Sequence, residues 1–288
     1  MTRYESAPAK INLTLDVLGK RPDGYHDLRM LMQTVALADT VALTHTDRPR
    51  LEVTSNLPYL PADGNNLAGR AAAALLTHLG LPQGGFRIQL EKKIPVCAGL
   101  GGGSADAAAV LRLLNRALDA GLTGDELKAV AFHVGSDVPF CVRGGTQLAE
   151  GRGERLTPLP APPPCHIVLC KPPCPVSTAA VFARWRDKPH HAPDHLGAVR
   201  ALETGSLREL ARRLYNVLED LVPSATQSDI VGIRTALLDA GALGVVMSGS
   251  GPTVLGLFET KSAAQTAWDT LSPRYRETYL TEPVGPSL

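Results

Sequence analysis

The sequence predicts an α+β fold in two domains, on three observations. A glycine-rich loop is pinned between a strand pattern and a helix pattern, a proline-rich break follows it, and the half beyond alternates strand and helix patterns. The loop is Pro95-Val96-Cys97-Ala98-Gly99-Leu100-Gly101-Gly102-Gly103-Ser104-Ala105, with four glycines in five residues. Before it, Phe86, Ile88 and Leu90 alternate with Arg87, Gln89 and Glu91 as in a half-buried strand. After it, the alanine- and leucine-rich run through Leu118 is strong helix former, with Ser104 placed to be its N-cap. Between Leu156 and Pro164 five prolines exclude a central strand or a helix, so the domains are expected to span 1–156 and 165–288.

The remaining elements follow in order. Lys10-Ile11-Asn12-Leu13-Thr14-Leu15-Asp16-Val17 alternates strictly, which puts the aliphatic residues on one face and Lys10, Asn12, Thr14 and Asp16 on the other. Lys10 and Asn12 then point the same way, about 7 Å apart at strand rise. A Pro22-Asp23-Gly24 turn presents Tyr25 and His26, and Leu28 to Leu43 is apolar enough to return as one or two strands. Asn66 and Leu67 open a helix on which Leu67, Ala71, Leu75 and Leu79 keep helical spacing until Gly80 closes it. Thr123-Gly124-Asp125-Glu126 is a capping box for a short helix ending at Gly135; Asp137 follows, where an aspartate is ordinarily a cap or turn former.

In the second half, His166 to Lys171 reads as a buried strand and Pro175 to Phe182 as the start of a helix capped by Ser177 or Thr178. Arg184 to His195 reads as an exposed loop. Leu207, Leu210, Leu214, Val217, Leu218 and Leu221 suggest one helix ending before Pro223, and Ile230, Ile233 and Leu237 a second ending at Gly241. Gly244 to Phe258 gives two strands around a second glycine turn, Ser248 to Pro252, and Thr260 caps a last helix through Leu271.

Composition bounds the function. A chain of 288 residues, 44% hydrophobic and 20% charged, has ample material for a core. A net charge of +1 leaves no basic field to attract nucleic acid or an anionic membrane, so small-molecule partners are expected. Met1 to Lys10 carries charge and proline where a signal peptide needs an apolar core, and five scattered cysteines suit reduced thiols; both favour the cytoplasm. Cys165, Cys170 and Cys174, with His166, His190, His191 and His195, match no common zinc spacing, and no metal site is assigned to them.

The glycine loop reads as a phosphate cradle. Glycines let main-chain N–H groups approach a ligand, and the uncapped N–H groups of the following helix add a positive dipole end. A Walker loop is excluded because no lysine follows the glycines, and the dinucleotide fingerprint because Ser104 stands where its third glycine belongs.

Three segments taken together resemble the signature motifs of the GHMP small-molecule kinases: Pro8-Ala9-Lys10-Ile11-Asn12-Leu13, the loop at 95–106, and Ser248-Gly249-Ser250-Gly251-Pro252-Thr253-Val254. The Arg21 to His26 segment and Gly135 to Phe140 resemble the branch whose acceptor is 4-diphosphocytidyl-2-C-methyl-D-erythritol. Cys97-Ala98 departs from the pattern, which more often has Gly or Ala there. The resemblance implies an N-terminal α+β domain with a left-handed crossover, a ferredoxin-like C-terminal domain, and substrates bound between them. It implies transfer of the γ-phosphoryl group of ATP, with magnesium, to the acceptor's 2-hydroxyl in non-mevalonate isoprenoid synthesis. In this reading Asp137 is the base and Lys10 steadies Asp137 and the transferring charge. Asn66, Leu67 and Pro95 to Ala105 hold ATP, with Ser104 toward magnesium-bound phosphate. Asn12, Tyr25, His26, Thr178 and Phe182 line the acceptor pocket, although Phe182 also fits a helix core. The rivals are kinases for homoserine, mevalonate or a sugar, against which Tyr25-His26 offers a base-stacking surface, and a nucleotide-binding protein without catalysis, which would need neither Lys10 nor Asp137.

Overall fold

The structure, a computed structural model, describes residues 1–48, 50–62, 65–186 and 191–288; His190 lies outside them. The N-terminal half is built on two long strands, β1 (Thr2–Lys20) and β2 (His26–His45), which pair antiparallel over nearly their whole length. Then come β3 (Leu51–Ser55), α1 (Leu67–His78), β4 (Phe86–Glu91), α2 (Gly102–Ala117), α3 (Gly124–Phe132), α4 (Val138–Arg143), β5 (Thr146–Gly151) and β6 (Arg155–Leu159). The C-terminal half contains β7 (His166–Lys171), α5 (Thr178–Arg184), α6 (His195–Glu203), α7 (Leu207–Ala211), β8 (Tyr215–Asn216), α8 (Ser224–Asp239), β9 (Gly244–Met247), β10 (Val254–Phe258), α9 (Lys261–Leu271) and β11 (Glu277–Thr281).

Strands form two sheets. The first runs β3-β4-β2-β1-β8, with β5 on the remaining length of β2 and β6 outside β5. β3 and β4 are parallel, so the chain between them crosses over through α1. The second runs β11-β7-β10-β9, all antiparallel, and α8 and α9 pack on it. Its strands and helices follow as β-α-β-β-α-β in spatial order 4-1-3-2, the ferredoxin-like arrangement, with α5 to β8 inserted between the first strand and its helix.

β1 is buried on both faces from Ala9 to Val17, because helix α2 packs against it and Asn12 and Thr14 meet Ser248 and His195 of the C-terminal half. Its pairing with β2 slips between Pro8 and Lys10 and again between Asn12 and Thr14. Such bulges re-aim side chains, and here they flank the two polar residues that share the cleft. Helix α1 is capped by Asn66, whose Oδ1 accepts from the Ala68 N–H at 3.0 Å, and the Thr123–Glu126 capping box is complete.

Several expectations are corrected. Ser104 is not the N-cap of α2: the helix starts two residues earlier at Gly102, after left-handed Gly101, so Ser104 sits within its first turn. The 207–221 stripe is not one helix. α7 ends at Ala211, and Tyr215–Asn216 instead pair in parallel with Thr14 and Leu15 of β1, so that edge pairing wins over local helix propensity. Pro158 lies on edge strand β6, which tolerates a residue without an N–H. His195 is buried at the start of α6 with Nδ1 2.8 Å from the Thr14 hydroxyl, where an exposed loop was expected.

Two glycine turns, one from each half, meet at Gly99. Gly99 has φ +75°, and a β-carbon on it would lie 2.1 Å from the Ser248 carbonyl oxygen. Gly99→Ala is therefore expected to cost clearly more stability than Gly80→Ala, where φ is +66° but the space is open. The latter pays only the left-handed strain, about 1 kcal/mol, while the former must also part the turns. Equal denaturation midpoints for the two variants would show that the turns do not press on each other.

Candidate active site

The bulged centre of β1 sets the site. At the first irregularity the Lys10 N–H donates to the Leu100 carbonyl at 3.0 Å, tying the strand to the glycine loop. The buried Lys10 ammonium donates to Asn12 Oδ1 at 2.8 Å and faces Asp137 Oδ2 at 3.3 Å. Asp137 occupies the N-cap position of α4 without making a side-chain cap bond, so its carboxylate, 31% exposed, is left for Lys10 and for whatever enters the cleft. Asn12 Nδ2 lies 3.3 Å from Met30 Sδ, which fixes the amide with its oxygen toward Lys10. One turn beyond Asp137, burial first and the Asp137 charge second push the Cys141 thiol up to about 12, so Cys141 is an inert part of the wall.

Around the glycine loop, side chains and backbone divide the work. Pro95, Ala98, Leu100 and Ala105 are buried and anchor it, while Val96, Gly99, Gly101, Gly102 and Ser104 are half-buried and Cys97 and Gly103 exposed. Gly99 and Gly101 are the left-handed glycines, whereas Gly102 already has helical backbone; Cys97 also adopts φ 52°. Leu67 packs on Gly103, where a β-carbon would stand 3.2 Å from Leu67 Cδ1. Asn66 spends its side chain on its cap and on the Pro61 carbonyl.

Beneath the loop lies a buried triad that the sequence reading missed. Lys92, just after β4, ion-pairs with Asp39 of β2 and, at 2.5 Å, with Asp106 of α2. Asp39 Oδ1 also accepts from the N–H groups of Lys93 and Ile94, at 2.5 and 2.8 Å. Both ends of the loop are thus clamped to one ammonium group. Burial, with Asp39 adding to it, pushes Asp106 up to about 7 although Lys92 pulls it down.

At the other end of the cleft, the Arg21 to His26 turn is held by the Arg21 N–H on the Tyr25 carbonyl and by Asp23 accepting from the Tyr25 N–H. Tyr25 is 51% exposed, with the Arg152 guanidinium carbon 3.7 Å from its ring centroid. His26 lies 5.0 Å from the Phe182 ring and 5.3 Å from Trp185, and burial first, then Lys20, holds it below the usual histidine range. Thr178 and Ser250 share a hydroxyl hydrogen bond of 2.7 Å, linking α5 to the second glycine turn. Ser248 completes the join: its hydroxyl accepts from the Asn12 N–H and donates to the Gly99 carbonyl.

Of the residues expected from sequence, Lys10, Asn12, Asp137 and the glycine loop gather into one cluster, and His26 with Phe182 into another. Trp185, Arg152, Ser248 and the Lys92 triad were not foreseen. Trp185 follows Phe182 by three residues, a helical neighbour that could have been noticed, and Ser248 opens the third motif. Arg152 in a Gly-Arg-Gly-Glu turn carries no such signal.

The profile of the GHMP kinases N terminal domain matches residues 66–145 and that of the GHMP kinases C terminal domain residues 198–277. The chain belongs to the GHMP kinases. Within them it is 44% identical to the 4-diphosphocytidyl-2-C-methyl-D-erythritol kinases of Bacillus pumilus and Exiguobacterium sibiricum, over 99% of its own length and 98–99% of theirs. A crystal structure of 4-(cytidine 5'-diphospho)-2C-methyl-D-erythritol kinase superposes with TM-score 0.80 at 35% identity, covering 98% of this chain and all of that one. A more remote likeness, of fold, is to L. major mevalonate kinase in complex with R-mevalonate, which superposes at TM-score 0.75 and 20% identity, covering 100% of this chain and 97% of the other. This GHMP kinase is a small-molecule kinase, and the α+β, two-part architecture is that of the family. No helix among the described residues is long and apolar enough to cross a membrane.

The triad makes the kinase's stability pH-dependent. Asp106 sits near 7 in the fold against an ordinary 3.8, so the stabilisation linked to its proton is complete below about pH 4 and is lost as pH rises through about 7. Asp106→Asn holds the position neutral. Between about pH 5.5 and 8.5 the urea midpoint of the unsubstituted protein is expected to fall more than that of the variant; equal falls would mean that Asp106 does not titrate in this range.

Proposed function

We propose that the chain transfers the γ-phosphoryl group of ATP to the 2-hydroxyl of 4-diphosphocytidyl-2-C-methyl-D-erythritol, in the cytoplasm, as a step of the non-mevalonate route to isoprenoid precursors. The observation that carries the reaction is the Lys10–Asp137 pair beside the glycine loop. Phosphoryl transfer needs in-line positioning and charge stabilisation more than covalent help, and a carboxylate with a cation at the acceptor oxygen supplies both. Asp137 Oδ2 takes the proton of the acceptor hydroxyl, Lys10 Nζ offers its remaining donor to the phosphoryl oxygens, and Asn12 holds Lys10 in line.

ATP lies along Pro95 to Ala105, its phosphates on the main-chain N–H groups between those ends, since Pro95 has no N–H and that of Ala105 donates to the Gly101 carbonyl, and its base near Asn66 and Leu67. Bound with the nucleotide, magnesium would offset phosphate charge. One hard oxygen donor at the loop, the Ser104 hydroxyl half-buried in the first turn of α2, would face that ion, while Asp39 and Asp106 are already taken by Lys92. The acceptor's base stacks on Tyr25, with His26, Thr178 and Phe182 completing the pocket. The two domains divide near the proline run, as 1–156 and 165–288.

The acceptor is named by the likeness to the cytidyl kinases and supported by the exposed tyrosine on its turn. ATP consumption with acceptors that carry or lack the cytidyl group tests the choice: turnover of homoserine or mevalonate in preference to the cytidyl compound would overturn it, and no turnover of any acceptor would leave a binding protein. Asp137→Asn is expected to lower kcat by roughly two to four orders of magnitude while ATP still binds; unchanged turnover would reduce Asp137 to a turn residue. Tyr25→Ala should raise KM for the cytidyl substrate by roughly 5- to 150-fold, the worth of one base stack, and leave KM for ATP unmoved. Equal loss for both substrates with a large drop in Tm would mark Tyr25 as packing instead.

A further inference from the structure

Between the base-recognising turn and the acceptor end of the cleft runs the turn that joins β5 to β6, Arg152-Gly153-Glu154. On one side the Arg152 guanidinium lies on the Tyr25 ring, 3.7 Å from its centroid, with Phe132 behind it at 5.1 Å. On the other, a β-carbon on Gly153 would stand 3.4 Å from the carbonyl of Ser136, the residue before Asp137, and 3.5 Å from Met30 Cε, whose sulfur contacts Asn12. The turn therefore touches both ends of the proposed acceptor site.

Its charge is matched less closely than its neighbours' charges: against desolvation, and after the Tyr25 N–H and Arg21, it lowers Asp23 without pairing with it. Lys10 faces Asp137, Arg21 pairs with Asp23 and Asp27, and Arg29 with Glu150. The Arg152 guanidinium makes no ion pair among the described residues, and its Nε is buried without a hydrogen-bond partner. A stacked guanidinium keeps its N–H donors in its own plane, at the edge of the ring it covers, so stacking and anion binding are compatible. A linear acceptor with its base at Tyr25 and its hydroxyl at Asp137 must carry its diphosphate past this point.

We propose that Arg152 is the diphosphate-binding residue of the acceptor site: its face stays on Tyr25 and its edge donates to phosphate oxygens. This rests on the cytidyl reading of the acceptor. The test is calorimetric titration of cytidine, cytidine monophosphate and cytidine diphosphate into the unsubstituted protein, Arg152→Met and Arg152→Lys. Arg152→Met should weaken cytidine diphosphate by roughly 10- to 100-fold, the worth of a charge-assisted hydrogen bond or two, and leave cytidine within about threefold. Arg152→Lys should recover part of the loss. Retained cytidine binding also reports that the variants fold. Loss of cytidine and cytidine diphosphate by the same factor would overturn the proposal and make Arg152 a support for the tyrosine; an unchanged diphosphate affinity would place the phosphates elsewhere. An unsubstituted protein that binds neither ligand would overturn the cytidyl reading itself, and Arg152's role with it.

Discussion

One serine hydroxyl holds the site together. Ser248 Oγ accepts from the backbone of Asn12 on β1 and donates to the backbone of Gly99 in the glycine loop, and Ser248 itself belongs to the turn after β9 in the other sheet. Three elements far apart in sequence are thereby fixed within hydrogen-bonding distance of one atom. Asn216 secures that turn from behind, donating to the Met247 and Gly249 carbonyls at 2.8 and 2.7 Å, and it can do so because β8 leaves the C-terminal half to pair with β1. The same constraint explains the glycine at 99: a β-carbon there would lie 2.1 Å from the Ser248 carbonyl oxygen.

Two buried lysines serve this centre in different ways. Lys92 is locked between two carboxylates, both essentially without solvent, and its role is to clamp the two ends of the loop. Desolvating three charged groups offsets much of their mutual attraction, so the triad fixes geometry more than it adds net stability. Lys10 has one carboxylate, and that carboxylate is open to the cleft. The difference in partner number separates the ammonium that maintains the cradle from the one that can respond when phosphate arrives.

The local elements were legible where the pattern is local. The Thr123 capping box, the Asn66 cap and the Ser177 and Thr260 caps each depend on residues a few positions apart, whereas the alternation of β1 is broken by its bulges. Lys10, Asn12 and Asp137 could be named because the motifs that contain them resemble a family's, not because spacing alone brings residue 137 to residue 10. What could not be read depends on long-range pairing. Tyr215–Asn216 sit within a stretch whose apolar residues keep helical spacing, and pairing with the edge of β1 makes them a strand. The Lys92 triad joins β2, the end of β4 and α2, and three charged residues in a sequence give no sign of which will be buried together. Ser104 failed as a cap because Gly101, being able to turn left-handed, starts the helix earlier than a serine would.

The contrast between two neighbouring helix starts shows how the fold leaves chemistry available. Thr123 at the start of α3 commits its side chain to the backbone in a complete, exposed capping box. Asp137 at the start of α4 is a residue type that caps well, yet its φ of −87° and ψ of −10° keep the carboxylate off the N–H groups ahead of it. Pro139, in the first turn of α4, has no N–H to satisfy, which lowers the demand for a cap at the point where Asp137 withholds one. The Asp-Val-Pro order therefore does two things at once: it starts a helix without the aspartate's help, and it delivers that aspartate to Lys10 with its oxygens free of local bonds.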